Sequence, residues 1–98
     1  MAGAGSRIMV YTTPLCGYCA AAKRLLDSKG VEYEEIDVYM DKARREEMVS
    51  RSGRRTVPQI FIGDIHVGGF DDMNVLEQRG ELDALLGTDG APAETKGD

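Results

Sequence analysis

The sequence predicts one α/β domain, a small mixed sheet with helices packed on it, in the order β-α-β-α-β-β-α-α. Three observations carry this. A strand, a helix and a second strand follow one another within about thirty residues, the length of a βαβ unit. Further on, two short apolar runs are separated by the two-residue turn Gly63-Asp64. Finally, 98 residues that are 42% hydrophobic and 30% charged suit one packed core and are too few for two.

Each element has its own reason. Ile8-Met9-Val10-Tyr11 is wholly apolar, as expected of a strand covered on both faces. Cys16 to Lys29 places Cys19, Ala22, Leu25 and Leu26 on one helical face, with Lys23, Arg24 and Asp27 pointing away, and Gly30 closes it. Tyr33 to Val38 alternates, with Ile36 and Val38 on one face and Glu35 and Asp37 on the other. The two strands of this βαβ unit should be parallel, with a right-handed crossover. A charged, weakly amphipathic helix is expected over 41–52. The hairpin Gln59 to Ile62 and Ile65 to Val67 follows, with His66 as a structural residue on its second strand. Gly68-Gly69 then breaks that strand, and Asp71-Asp72 suits a helix start. That helix runs to about Arg79, and a last one carries Leu82, Leu85 and Leu86.

The domain is expected over 7–87. The last eleven residues, 88–98, have no large apolar side chain and are expected to form a disordered tail. With 17 acidic and 12 basic residues the chain carries −5, which argues against nucleic acid as a partner. No apolar run is long enough to span a membrane, and residues 1–7 lack the apolar segment of a signal peptide. Locally the charge reverses. Residues 42–55 hold six basic side chains (Lys42, Arg44, Arg45, Arg51, Arg54, Arg55) against Glu46 and Glu47. A solvated helix face is the commoner meaning of such a run; an anionic ligand docking beside it is the sharper one.

Two cysteines, Cys16 and Cys19, are too few for a disulfide scaffold, and a zinc site would need carboxylates or a second chain. The expectation is no metal and a reducing compartment. Cys16-Gly17-Tyr18-Cys19 lies between the first strand and its helix. There Cys16 faces free backbone N–H groups and the positive end of the helix dipole, both of which favour thiolate. Cys19, more buried on the same face, is placed to attack second, and the pair can close a disulfide with little backbone movement. A Cys-x-x-Cys alone divides between redox chemistry, metal binding and coincidence; its place in a βαβ unit favours redox.

Two further segments point the same way. Pro58 in Thr56-Val57-Pro58 opens a strand, where proline breaks no ladder. A cis bond there would turn the Val57 backbone outward beside Cys16, for pairing with an extended cysteine-containing peptide. A trans proline starting an edge strand is the alternative. Gly68-Gly69-Phe70-Asp71-Asp72 offers helix-start amides to a carboxylate and an aspartate to an ammonium group, the two charges of an α-amino acid head.

Together, Tyr-Thr-x-x-x-Cys-x-Tyr-Cys, Thr-Val-Pro-Gln-Ile-Phe-Ile and Gly-Gly-Phe-Asp-Asp resemble glutaredoxin, of the short dithiol type, over roughly residues 8–87. The resemblance implies a thioredoxin-like fold with a four-stranded mixed sheet, a cis Pro58, and glutathione as co-substrate. It implies that Cys16 attacks protein disulfides and protein–glutathione mixed disulfides in the cytoplasm, that Cys19 resolves, and that glutathione reductase supports the cycle indirectly. Glutathione would be held by Tyr18, Arg45, Thr56, Val57, Pro58, Gly69, Asp71 and Asp72, with Arg45 on the glycyl carboxylate. Three departures stand out. Thr13 replaces a lysine frequent in the family, Gly17 replaces the commoner proline, and Phe70 replaces a cysteine of some relatives. Gly17 opens the alternative, a dimer bridged by a [2Fe-2S] cluster on Cys16 of each copy and two glutathione thiolates; otherwise a monomer is expected. A redoxin served by thioredoxin reductase is a third reading, disfavoured by the glutathione groove.

Overall fold

The structure, a computed structural model, describes residues 7–87. The tail expected over 88–98 lies outside the described residues, as do residues 1–6. The elements are β1 (Ile8–Thr12), α1 (Gly17–Ser28), β2 (Glu34–Asp37), α2 (Lys42–Ser52), β3 (Gln59–Ile62), β4 (Ile65–Gly68), α3 (Phe70–Gln78) and α4 (Leu82–Leu86). The strands lie in the order β2-β1-β3-β4. β1 is parallel to β2 and antiparallel to β3, and β3 is antiparallel to β4. The expected mixed sheet and element order are those observed.

Strand alternation divides the core into two layers. Ile8, Val10, Ile60 and Ile62 pack with Ala22 and Leu26 of α1, Met73 of α3, and Leu82 and Leu86 of α4. On the other face Tyr11, Ile36, Val38 and Phe61 pack with Met48, the buried residue of α2. Each fully buried side chain of this size stabilises the fold by about 1.5–3 kcal/mol relative to exposure. Lys29 at the end of α1 pairs with Glu77 at 2.6 Å and Asp83 at 2.9 Å, pinning α1 to α3 and α4.

The differences from expectation are local. β2 is shorter than 33–38, since Tyr33 and Val38 both lie outside it; the Val38 N–H still donates to the Thr12 carbonyl at 2.9 Å and its side chain stays buried. Leu25 is only partly buried, packed at the edge of the first layer. α1 begins at Gly17 because Cys16 is its N-cap, with extended backbone. The basic stretch of 42–55 is largely committed to internal partners. Arg44 pairs with Glu47 at 2.8 Å, and Arg51 donates to the Tyr11 hydroxyl at 2.9 Å while lying 4.0 Å over the Phe61 ring.

Candidate functional site

The site forms where three loops meet at one end of the sheet. Between β1 and α1 the chain turns sharply at Leu15, which has φ of 59°. A left-handed conformation at a non-glycine residue costs on the order of 1 kcal/mol. Here it sets Cys16 at the cap position. The Cys19 N–H donates to Cys16 Sγ at 3.2 Å, and the Cys16 carbonyl accepts from Ala20 N–H at 3.0 Å. A side chain that takes an otherwise orphaned helix N–H is a cap, and here the cap atom is sulfur.

Three residues separate two unlike thiols. Cys16 is half-buried and Cys19 is 2% exposed, and both are free. Burial, followed by its hydrogen bond to Cys16, pushes the Cys19 thiol up to about 12. One sulfur is open to a substrate; the other is held as a protonated thiol behind it.

The second loop precedes β3. Its Val57–Pro58 peptide bond is cis. Cys16 Sγ lies 3.9 Å from the Val57 carbonyl oxygen. The third loop leads into α3. Gly68 has φ of +114°, and a Cβ there would come within 2.3 Å of Asp72 Oδ2, so only glycine fits. Asp72 Oδ2 accepts from the Gly69 N–H at 2.9 Å and from Arg54 Nη1 at 3.1 Å. The Gly69 N–H and the Arg54 guanidinium hold the Asp72 carboxyl below the usual aspartate range.

These loops enclose a groove of about 190 Å³. One wall is Tyr18, 64% exposed, its ring stacked on Phe70 at 6.5 Å. Thr56, Val57 and Pro58 form the floor, and Gly69, Asp71 and Asp72 form the far end. Seven of the eight residues expected to hold glutathione, Tyr18, Thr56, Val57, Pro58, Gly69, Asp71 and Asp72, line this one groove; the eighth, Arg45, does not. Arg45 donates to the carbonyls of Val38 at 3.0 Å and Tyr39 at 3.1 Å. It lines a separate cavity of about 740 Å³ with Tyr39, Met40, Lys42, Val49 and Arg55. That cavity is larger but contains no cysteine, whereas the groove shares Val57 with Cys16, whose Sγ lies 3.9 Å from the Val57 carbonyl, so size does not decide which site carries the chemistry. The groove also holds Arg54 and Phe70, which the sequence reading gave no binding role. Arg54 was visible only as one of six basic residues; its proximity to Thr56 in the chain was the available signal.

On its other side Cys16 borders a cavity of about 520 Å³, shared with Thr13, Cys19, Lys23 and Glu35. Lys23 Nζ sits 3.0 Å from Glu35 Oε2, which also accepts from Thr12 Oγ1 at 2.9 Å. Among the described residues no three His, Cys, Asp or Glu side chains are grouped to hold a metal ion. Among the described residues no helix is long and apolar enough to cross a membrane.

Comparison with known proteins agrees with this geometry. The glutaredoxin family profile matches residues 8–67. Glutaredoxin 3 of Escherichia coli strain K12 is 52% identical over 81 residues, covering 83% of this chain and 98% of the relative. The solution structure of glutaredoxin from Brucella melitensis is 55% identical with a TM-score of 0.73, covering 82% of this chain and 87% of that one. The crystal structure of a buckwheat glutaredoxin–glutathione complex is 31% identical with a TM-score of 0.77, covering 87% and 80%. The fold is thioredoxin-like, its mixed sheet carrying a capping cysteine at the head of α1. The chain belongs to the glutaredoxin family of thiol–disulfide oxidoreductases.

Proposed function

We propose that the protein is a glutathione-dependent oxidoreductase that removes glutathione from protein–glutathione mixed disulfides and reduces protein disulfides. The observation that carries this reading is Cys16 Sγ, capping α1 and facing the Val57 carbonyl at 3.9 Å beside a groove that also holds the first residues of α3. In this reading the cysteinyl part of glutathione pairs with the Val57 backbone as a short added strand. The γ-glutamyl carboxylate meets the free amides at the start of α3, and its ammonium group meets Asp72. Tyr18 and Thr56 line the sides, and Asp71 adds negative charge at the same end. Arg45, bound to the Val38 and Tyr39 carbonyls, is left out of the groove.

The Cys16 thiolate attacks the glutathione sulfur of the mixed disulfide in line with the S–S bond. A Cys16–glutathione disulfide forms and the protein leaves as thiolate. A second glutathione thiolate attacks the same glutathione sulfur, giving glutathione disulfide and free Cys16. With a protein disulfide, Cys16 forms a mixed disulfide with the protein. Cys19 then loses its proton and attacks Cys16, releasing the protein thiolate and leaving a Cys16–Cys19 disulfide for glutathione to reduce. Potentials of about −200 to −230 mV for this class lie near the cytosolic glutathione pool. The reading places the protein in the cytoplasm as a monomer.

The test is a steady-state assay with a glutathionylated peptide, NADPH, glutathione and glutathione reductase. Turnover that requires glutathione is expected. Equal turnover when thioredoxin and its reductase replace the glutathione system would overturn the reading.

A further inference from the structure

A chain of polar side chains, buried at Gln59, runs from β4 to the groove. Gln59, the first residue of β3, is 0% exposed and one of two buried polar side chains among the described residues. Its amide nitrogen donates to the Thr56 carbonyl at 3.0 Å and to Thr56 Oγ1 at 3.2 Å. Its amide oxygen lies 2.7 Å from His66 Nε2. The directions are dictated by chemistry. A carbonyl can only accept, so the amide NH₂ of Gln59 must face Thr56 and its oxygen must face His66. His66 Nε2 must then carry the hydrogen. The imidazole is itself held in place, stacked on Phe61 with ring centres 4.8 Å apart.

A buried amide on a central strand costs stability unless fully paired, and this one is fully paired. What it secures is Thr56, one peptide bond before the Val57 carbonyl that faces Cys16 Sγ. Without it the Thr56 carbonyl and hydroxyl would lose the Gln59 amide as their partner, while Arg54–Asp72 and the packing of Val57 on the core still hold the flanks of the loop.

We infer that Gln59, locked in orientation by His66, is a positioning residue for glutathionyl recognition: it fixes Thr56 so that the Val57 backbone is presented to the cysteinyl part of the substrate. The inference rests on the proposed glutathione groove and assigns it a buried support. Neither side chain touches substrate. Their effect is confined to substrates that use the Val57 backbone.

That restriction gives the test. Single-turnover release of a peptide thiol is followed with the full chain on two mixed disulfides of the same peptide, one with glutathione and one with cysteamine, which has no peptide backbone to pair. The variants are Gln59→Leu and Gln59→Met, neither of which has an N–H to donate to the Thr56 carbonyl, and His66→Phe, which keeps the ring stack on Phe61. Each should lose about tenfold on the glutathionyl substrate, the scale of one buried hydrogen bond, and stay within about twofold on the cysteamine one. An equal fall on both substrates, or no fall on either, overturns the inference. A wild-type chain that does not prefer the glutathionyl substrate overturns the groove reading itself, and is a separate result from variants that keep a wild-type preference.

Discussion

The outer and inner sides of the first turn of α1 differ in nearly every physical respect. On the outer side Leu15 is wholly exposed, Tyr18 is 64% exposed, and Cys16 faces the Val57 carbonyl and the groove. On the inner side Cys19 is 2% exposed and its thiol is pushed up to about 12. The same helix turn therefore holds one sulfur ready to react and another in reserve. The contrast teaches that the spacing of two cysteines does not assign their roles; the burial of each does.

The contrast is broken most completely at Cys16. Cys16→Ser should abolish both reactions, a fall of at least about a thousandfold, since a serine hydroxyl is a far weaker nucleophile toward a disulfide sulfur than a cysteine. Turnover of a glutathionylated peptide measures it. Cys19→Ser should cost about a hundredfold or more with a protein disulfide and leave deglutathionylation within about threefold, because the inner thiol enters only the dithiol route. Parallel assays with the two substrates read this ratio.

The groove end comes next. Asp72→Asn keeps an oxygen for the Gly69 N–H but removes the charge proposed to meet the ammonium group. The second-order rate constant with a glutathionyl substrate should fall about tenfold, the scale of one charge-assisted hydrogen bond. The loss should shrink as salt is raised.

Cys19 also links stability to pH. Its pKa is raised on folding from the ordinary value of about 8.5, so its contribution is fully present below about pH 8.5 and is lost as pH rises toward about 12. Denaturant unfolding of the reduced protein should show the wild type losing stability relative to Cys19→Ala across that window.

The smallest effect is expected at Arg45→Ala. Its Nη2 donates to the Val38 and Tyr39 carbonyls and its side chain lies outside the groove, so deglutathionylation should change less than about twofold while stability falls by about 1 kcal/mol.

Much of this molecule was legible in the sequence. The wholly apolar run Ile8–Tyr11, the alternation of Glu35, Ile36, Asp37 and Val38, the helical face of Cys19, Ala22 and Leu26, and the Gly63-Asp64 turn are local signals, and local signals set this fold. The residues gathered around the groove were legible because they lie within three short segments. What escaped depends on contacts distant in sequence. Arg54 reaches Asp72 eighteen positions on, and no periodicity announces that. Gln59 passed as part of a strand motif and His66 as a structural residue, because their hydrogen bond crosses a hairpin with an irregular register between Ile60 and Phe61. Arg45 was attached to the groove through a resemblance at one position. The local geometry of the β2–α2 connection instead supplies carbonyls that take up its guanidinium.

The most direct test of the account asks which sulfur Cys16 attacks. The Cys19→Ser chain, mixed with a glutathionylated peptide without free glutathione, stops after one exchange, and intact mass identifies the group left on the enzyme. The account predicts enzyme carrying glutathione and free peptide in solution, because the groove holds the glutathionyl half over Cys16. Enzyme carrying the peptide, with glutathione released, would contradict it.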